Sequence, residues 1–293
     1  MGKEANQPIS KSEAWLGMMR ISNAPTVASN ILVGTAIAMQ MQGKHFTWDL
    51  SFNIFFAICI FAVYFAGMIL NDAFDAKYDQ QHRPSRPIPS GAVSRYAAWT
   101  VGIAILSAVS VFGFGHGAAN GLILLVTAVL LYTFFHRWFI TAVAFMALCR
   151  GLVYLIVANP TQGSSLSLLL TFCIALAFYT AVLTFIGRFE NKKNINHVWV
   201  TWLLLLPPFY VVFTQLPIIW FALIPLVFMV YWIWLAWVDF KANKKMDGMH
   251  RILSGFCLVD CVLASTLEQY AIAGLCAVCF VITVGFHRKI LGT

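Results

Sequence analysis

Acidic side chains are scarce in this sequence. Eleven Asp and Glu stand against nineteen Lys and Arg in 293 residues, and charged residues of both signs reach only 10%. So little charge, beside 60% hydrophobic residues and a mean hydropathy of +0.80, excludes an ordinary soluble globule. The seven histidines show no HxxH or HExxH spacing, which leaves no case for zinc. The seven cysteines lie in apolar runs, where Cys behaves as a small hydrophobe. Cys276 and Cys279 make one CxxC without a second pair, and it reads as neither a zinc site nor a redox site. The net charge of +8 does not mark a nucleic-acid partner, because the basic residues fall between apolar runs rather than along one face. The polar N-terminus and late first apolar run do not resemble a cleaved signal peptide.

What the chain has in quantity is apolar runs of membrane length. Candidate spans fall at about 24–42, 52–72, 96–114, 118–135, 138–158, 166–187, 198–215, 217–238 and 252–270. The apolar tail 271–286 either extends the ninth or forms a short tenth, and Glu268 between the two runs favours a break. The expected fold is therefore an all-α integral membrane bundle of nine helices, or ten. Residues 24–293 form its one transmembrane domain. Residues 1–23 precede it, with Trp15, Leu16, Met18, Met19 and Ile21 between Lys11 and Arg20, a pattern suited to a short helix in the membrane interface. Numbering loop sides alternately puts the basic residues from Lys3 to Arg251 on one side and only Lys44 on the other. The positive-inside rule then places the N-terminus and the basic loops in the cytoplasm of a multi-pass inner or cell membrane protein, near anionic lipid heads.

The scarce acid is concentrated. Residues Asn71 to Gly91 read NDAFDAKYDQQHRPSRPIPSG, directly after the apolar run Phe52 to Leu70. If that helix continues, Asp72, Asp75 and Asp79 fall within roughly 60° of one another at ~100° per residue, with Asn71 one turn below Asp75. Carboxylates so placed repel one another unless a cation sits among them. Oxygen ligands favour a hard ion, and Mg²⁺ shared with a substrate phosphate is the usual one. Pro84 ends the helix, and Arg83 and Arg86 follow where guanidinium groups could grip phosphate. A plain solvated acidic helix end is the blander alternative, but ionisable groups capping a membrane span are functional by default. Arg150, in mid-span, needs a phosphate, a carboxylate or a backbone carbonyl. Asn23 and Asn30 flank Pro25, and Asn23 reads as a helix cap. Asp260 also needs a partner, with Ser254 a candidate. Tyr179 faces either the pocket or the packed interior.

These residues resemble the UbiA superfamily of intramembrane prenyltransferases. Asn71, Asp72, Asp75 and Asp79 match its first motif, NDxxDxxxD; Arg86-Pro87 with Ser90-Gly91 is similar to its RPxxSG stretch; and RISNAPTVASN, Arg20 to Asn30, is similar to its first-span entry. The resemblance implies a helical bundle around a central cavity, Mg²⁺-assisted loss of diphosphate from a polyprenyl donor, and attack by a small acceptor. It implies metal ligands at Asn71, Asp72, Asp75 and Asp79, with Asp72 and Asp75 catalytic. It implies diphosphate contacts from Asn71, Arg83, Arg86, Arg150, Arg188 and Lys192. The family's second motif carries aspartates after span six, where this chain has only Glu190, among Arg188, Lys192 and Lys193. The family's usual acceptor is aromatic; the departure resembles the divergent EboC-like branch, which implies a cyclitol-like acceptor instead. Glu190 then acts as the base or reaches a metal through water. The alternative is a non-enzymatic isoprenoid carrier or transporter that keeps the diphosphate cradle.

Overall fold

The structure, a computed structural model, describes residues 10–42, 50–115, 119–159, 166–189, 198–214 and 220–289. Helix α1 (Lys11–Met18) opens it, followed by α2 (Ala24–Gln42), α3 (Leu50–His82), α4 (Arg95–Gly115), α5 (Ala119–Phe135), α6 (Phe139–Ala158) and α7 (Leu166–Phe189). A 3-10 stretch, Val198–Leu205, leads into α8 (Leu206–Thr214), and α9 (Trp220–Lys241), α10 (Lys245–Thr266) and α11 (Tyr270–Lys289) complete the order. No strand occurs among the described residues. Seven helices, α3, α4, α6, α7, α9, α10 and α11, are long and apolar enough to cross a membrane. The 19-residue α2, the shorter α5 and the segment 198–214 complete the bundle.

Local chemistry explains the boundaries. At ~1.5 Å per residue the 33-residue α3 is about 50 Å long, so it outruns a hydrocarbon core of about 30 Å and carries Asp72 to Asp79 past the apolar run. Its end at His82 agrees with the stop expected from Pro84. The expected seventh span divides where Pro207 and Pro208, lacking N–H donors, open α8 after the tighter 3-10 turn. The expected ninth span is α10, which begins earlier and stops at Thr266. Glu268 then takes a left-handed φ of 58°, and the tail returns as the separate 20-residue α11. Before α2, Ser10 and Glu13 close a capping box on α1, and the Ser10 hydrogen bonds hold the Glu13 carboxyl below its ordinary pKa. Ala14 and Met18 of α1 pack on Ile69 and Ala73 of α3, while Leu16 of the expected apolar patch is exposed.

Two hydrophobic cores hold the bundle. One joins α2 through α6; the other joins α6 through α11, with α2 again a member. Helices α2 and α6 are therefore the seam. A Cβ on Gly34 of α2 would lie 2.7 Å from Cβ of Val157 on α6, so only glycine allows this approach. The basic helix ends converge at one end of the bundle. Arg95 Nε donates to Ala73 O at 2.8 Å, and His287 of α11 lies 2.8 Å from Asn23 Oδ1. The Asn23 side chain is thus tied to α11 and is not the expected cap. Gly34→Ala should lower stability by about 1–3 kcal/mol, the usual cost of overpacking against a stiff β-branched neighbour, read as a fall in thermal midpoint in detergent. An unchanged midpoint would show that the seam yields.

Candidate active site

A cavity of roughly 450 Å³ lies within the bundle. On α3 it is lined by Ile60, Val63, Tyr64, Gly67, Met68, Asn71 and Asp75, spacings of three and four that trace one helix face. Leu125, Val129 and Tyr132 of α5 and Thr180, Leu183, Thr184, Gly187 and Arg188 of α7 repeat the pattern. The cavity is polarised along its length. Asn71, Asp75, Arg20, Arg83, Arg86, His136 and Arg188 line its basic end, and Ile60, Val63, Leu125 and Val153 line the other.

The first-motif carboxylates do share a helix face, and cations do sit among them, but those cations are side chains. Arg86 Nη1 donates to Asp79 Oδ2 at 2.9 Å and to Asp72 Oδ1 at 3.4 Å. Arg20 Nη2 approaches Asp72 Oδ1 at 3.7 Å. Arg20 itself has a left-handed φ of 48°, and its carbonyl accepts a 3.0 Å bond from the Tyr64 hydroxyl. Asp75 turns to other partners. Nε2 of His136 lies 3.0 and 3.1 Å from its two oxygens, and Arg137 Nη2 lies 3.6 Å away. His136 Nδ1 donates to Thr133 O at 2.8 Å, which fixes the ring. The carboxylates are thereby divided, and no three His, Cys, Asp or Glu side chains converge on one point among the described residues.

Mg²⁺ nonetheless fits the donor chemistry. Asn71 Oδ1 is buried, lacks a hydrogen-bond partner among the described residues, and belongs to a residue that lines the cavity. With Asp72 and Asp75 beside it, it offers the hard oxygens this ion takes, and Mg²⁺ needs only one or two carboxylates when phosphate oxygens complete the shell. Asp79 differs from its neighbours: its side chain is 3% exposed and is occupied by Arg86.

Several expected residues fall elsewhere. Arg150 does not join the carboxylates. Its Nη1 donates to Asn30 Oδ1 at 2.6 Å and Thr26 O at 3.3 Å, its Nη2 to Thr26 Oγ1 at 3.0 Å, and its guanidinium lies 4.5 Å from the Phe256 ring centroid. This is the structural tie weighed as its alternative role. Asn30 Nδ2 in turn donates to Asp260 Oδ2 at 2.8 Å, and the Tyr154 hydroxyl donates to Asp260 Oδ1. Ser254, the candidate partner of Asp260, bonds instead to Arg251 O and Trp232. Tyr179 is packed inside and donates to Ile252 O at 2.7 Å. Arg83 and Arg188 line the cavity with no side-chain ion pair among the described residues. Glu190 and Lys192 lie outside the described residues. Sequence reasoning missed His136, Arg137 and Tyr132; their position in and before the short loop after the fourth expected span, on the side that carries the first motif, was the available signal.

A bundle of apolar helices around a polarised cavity, with an acidic motif answered by arginines at one end, is an architecture that suits an amphiphile with an anionic head. The sequence pattern of the UbiA prenyltransferase family matches residues 30–258, and the chain belongs to that family. Among curated proteins it is similar to digeranylgeranylglyceryl phosphate synthases. That of Methanothermobacter thermautotrophicus is 33% identical over 93 residues, 31% of this chain and 32% of the relative. That of Methanococcoides burtonii is 37% identical over 90 residues, 29% of this chain and 32% of the relative. The matched stretch thus spans about a third of the length of these relatives. A solved structure from work on digeranylgeranylglyceryl phosphate synthase in membranes has a TM-score of 0.60 at 16% identity, covers 89% of this chain and 98% of its own, and shows the shared fold. These relatives give the EboC-like resemblance no support.

Arg86→Gln should leave the buried Asp79 carboxylate without its counter-charge and cost about 3–5 kcal/mol. Adding Asp79→Asn should recover a large part of that loss, with a coupling of about 1–3 kcal/mol in thermal unfolding. Additive losses would mean the pair is not the interaction that matters.

Proposed function

We propose that the chain transfers an isoprenyl group from a polyprenyl diphosphate to an acceptor within the membrane, and that the acceptor is a prenylated glyceryl phosphate. The observation that carries this reading is the polarised cavity, whose basic end suits a diphosphate and whose apolar end suits an isoprenoid tail. The acceptor class is taken from the relatives' name, which describes two geranylgeranyl groups on a glyceryl phosphate; it replaces the aromatic or cyclitol-like acceptor. In this reading residues 1–23 lie at the interface, residues 24–293 act as one domain with ten crossings, and the basic end faces the cytoplasm.

Arg83 and Arg188, without an ion pair among the described residues, can take diphosphate oxygens, and Arg86, fixed by Asp79 and Asp72, adds a third guanidinium. Breaking the C1–O bond of the donor leaves an allylic cation and moves negative charge onto the departing diphosphate. Arginines already in place neutralise that charge as it develops. The acceptor hydroxyl oxygen then bonds to C1 and gives up its proton. Glu190 is assigned that proton, and Lys192 a phosphate contact, from the sequence argument alone. Asn71, Asp72 and Asp75 are the residues that would hold Mg²⁺, which when bound supplies Lewis-acid stabilisation of the leaving diphosphate. Asp79 has a positioning role, holding Arg86.

The test uses purified protein with geranylgeranyl diphosphate, geranylgeranylglyceryl phosphate and Mg²⁺, with product mass and diphosphate release as readouts. Chelation should abolish turnover and Mg²⁺ restore it. Asp75→Asn should reduce turnover by about a hundredfold or more with the thermal midpoint retained, the usual scale for removing one charge-stabilising group. Donor binding without product or diphosphate release would favour the carrier reading.

A further inference from the structure

Among the described residues, one edge of Arg150 is unused. A guanidinium carries five N–H donors. Thr26 takes one from Nη1 and one from Nη2, and Asn30 Oδ1 takes the other Nη1 hydrogen. That leaves Nε–H and one Nη2–H, the parallel pair that binds carboxylate or phosphate side-on. The Nε–H donates to no described residue and is not among the fully enclosed side-chain atoms left without a partner there, so it keeps some exposure, and Arg150 lines the cavity. The fork is held still. Phe256 covers one face of the guanidinium, and Asn30, whose amide accepts from Arg150 and donates to Asp260, fixes its angle. Asp260 and Tyr154 are fully buried and reach no ligand themselves. Arg150 holds Thr26 and Asn30, six and ten residues beyond the Arg20 that touches Asp72. None of its hydrogen bonds among the described residues reaches a first-motif carboxylate, where the diphosphate is assigned.

We propose that the free edge of Arg150 is a second oxyanion site that binds the anionic head of the acceptor, with Asn30 and Asp260 as positioning residues behind it. This rests on the prenyl-transfer reading. An arginine that served only to tie α6 to α2 would not need a parallel pair of donors presented to the cavity. The amide of Asn30 can serve both neighbours in one orientation only. An Asn at position 260 would offer it a donor or a single acceptor, in competition with the Tyr154 hydroxyl, and so loosen Arg150 without touching the cavity.

Binding to purified protein in detergent decides this independently of turnover. Wild type should bind geranylgeranylglyceryl phosphate. Arg150→Lys, which keeps the charge and loses the fork, should weaken that binding by roughly ten- to a hundredfold while geranylgeranyl diphosphate binding shifts less than about twofold. Asp260→Asn should weaken it in the same direction by about three- to tenfold and add little on top of Arg150→Lys, as expected of two residues acting through one contact. Geranylgeranylglycerol, lacking the phosphate, should bind wild type no better than the phosphate ester binds Arg150→Lys. Equal weakening of both prenyl ligands, no weakening of the phosphate ester, no binding of it by wild type, or equal competition by inorganic phosphate would overturn the site. Absence of product in the wild-type assay would instead overturn the prenyl-transfer reading, and the binding series would still decide the site.

Discussion

The clamp of Arg86 on Asp79 and Asp72 is the contact on which the polar end of this bundle depends. Three carboxylates on one face of α3 cannot be kept ionised at a membrane boundary without counter-charge. The chain provides it from three directions: Arg86 in the loop that α3 itself runs into, Arg20 before α2, and Arg137 between α5 and α6, beside the His136 that hydrogen-bonds Asp75. Each of those cations is thereby drawn to α3, and with them the helix ends that carry them. The charge pairing that makes the motif tolerable also gathers the cavity mouth.

What could be read from the sequence was local. The continuation of α3, its stop before Pro84 and the shared face of the aspartates follow from composition and a period of 3.6, and the helices came out close to their expected places. What could not be read was which distant group answers which. Asp75 meets His136 across 61 positions, Arg150 meets Asn30 across 120, and Asn30 meets Asp260 across 230. Helical periodicity says which face a residue occupies and nothing about what another helix sets against it. Arg150 was therefore open between phosphate and structural partners, and Asp260 had no assigned partner. The division of the 198–214 segment had a local cause in Pro207 and Pro208, a signal outweighed there by uninterrupted hydrophobicity.

The cavity reconciles two demands that usually conflict. A group that leaves as an anion needs fixed positive charge, and a hydrocarbon tail needs a surface without any. Along α3 the lining runs from Ile60 and Val63 to Asn71 and Asp75, and the positive charge at that end comes from outside this stretch, from Arg20, Arg83, Arg86 and Arg188. The one glycine and the one methionine on that stretch, Gly67 and Met68, stand between the two regimes with little bulk or with a flexible side chain.

The seam helix α2 carries a consequence for how the molecule is made. It precedes the other described helices of the bundle in the chain, yet the Asn30 amide group meets Asp260 only when α10 arrives, and its entry residue Asn23 meets His287 only when α11 does. Between those events a polar amide sits in the bilayer without its final partners, and the first core, α2 through α6, has to hold it. Helices α10 and α11 make these ties, so a chain interrupted before them keeps the site's first motif and loses the contacts that fix the helix beside it.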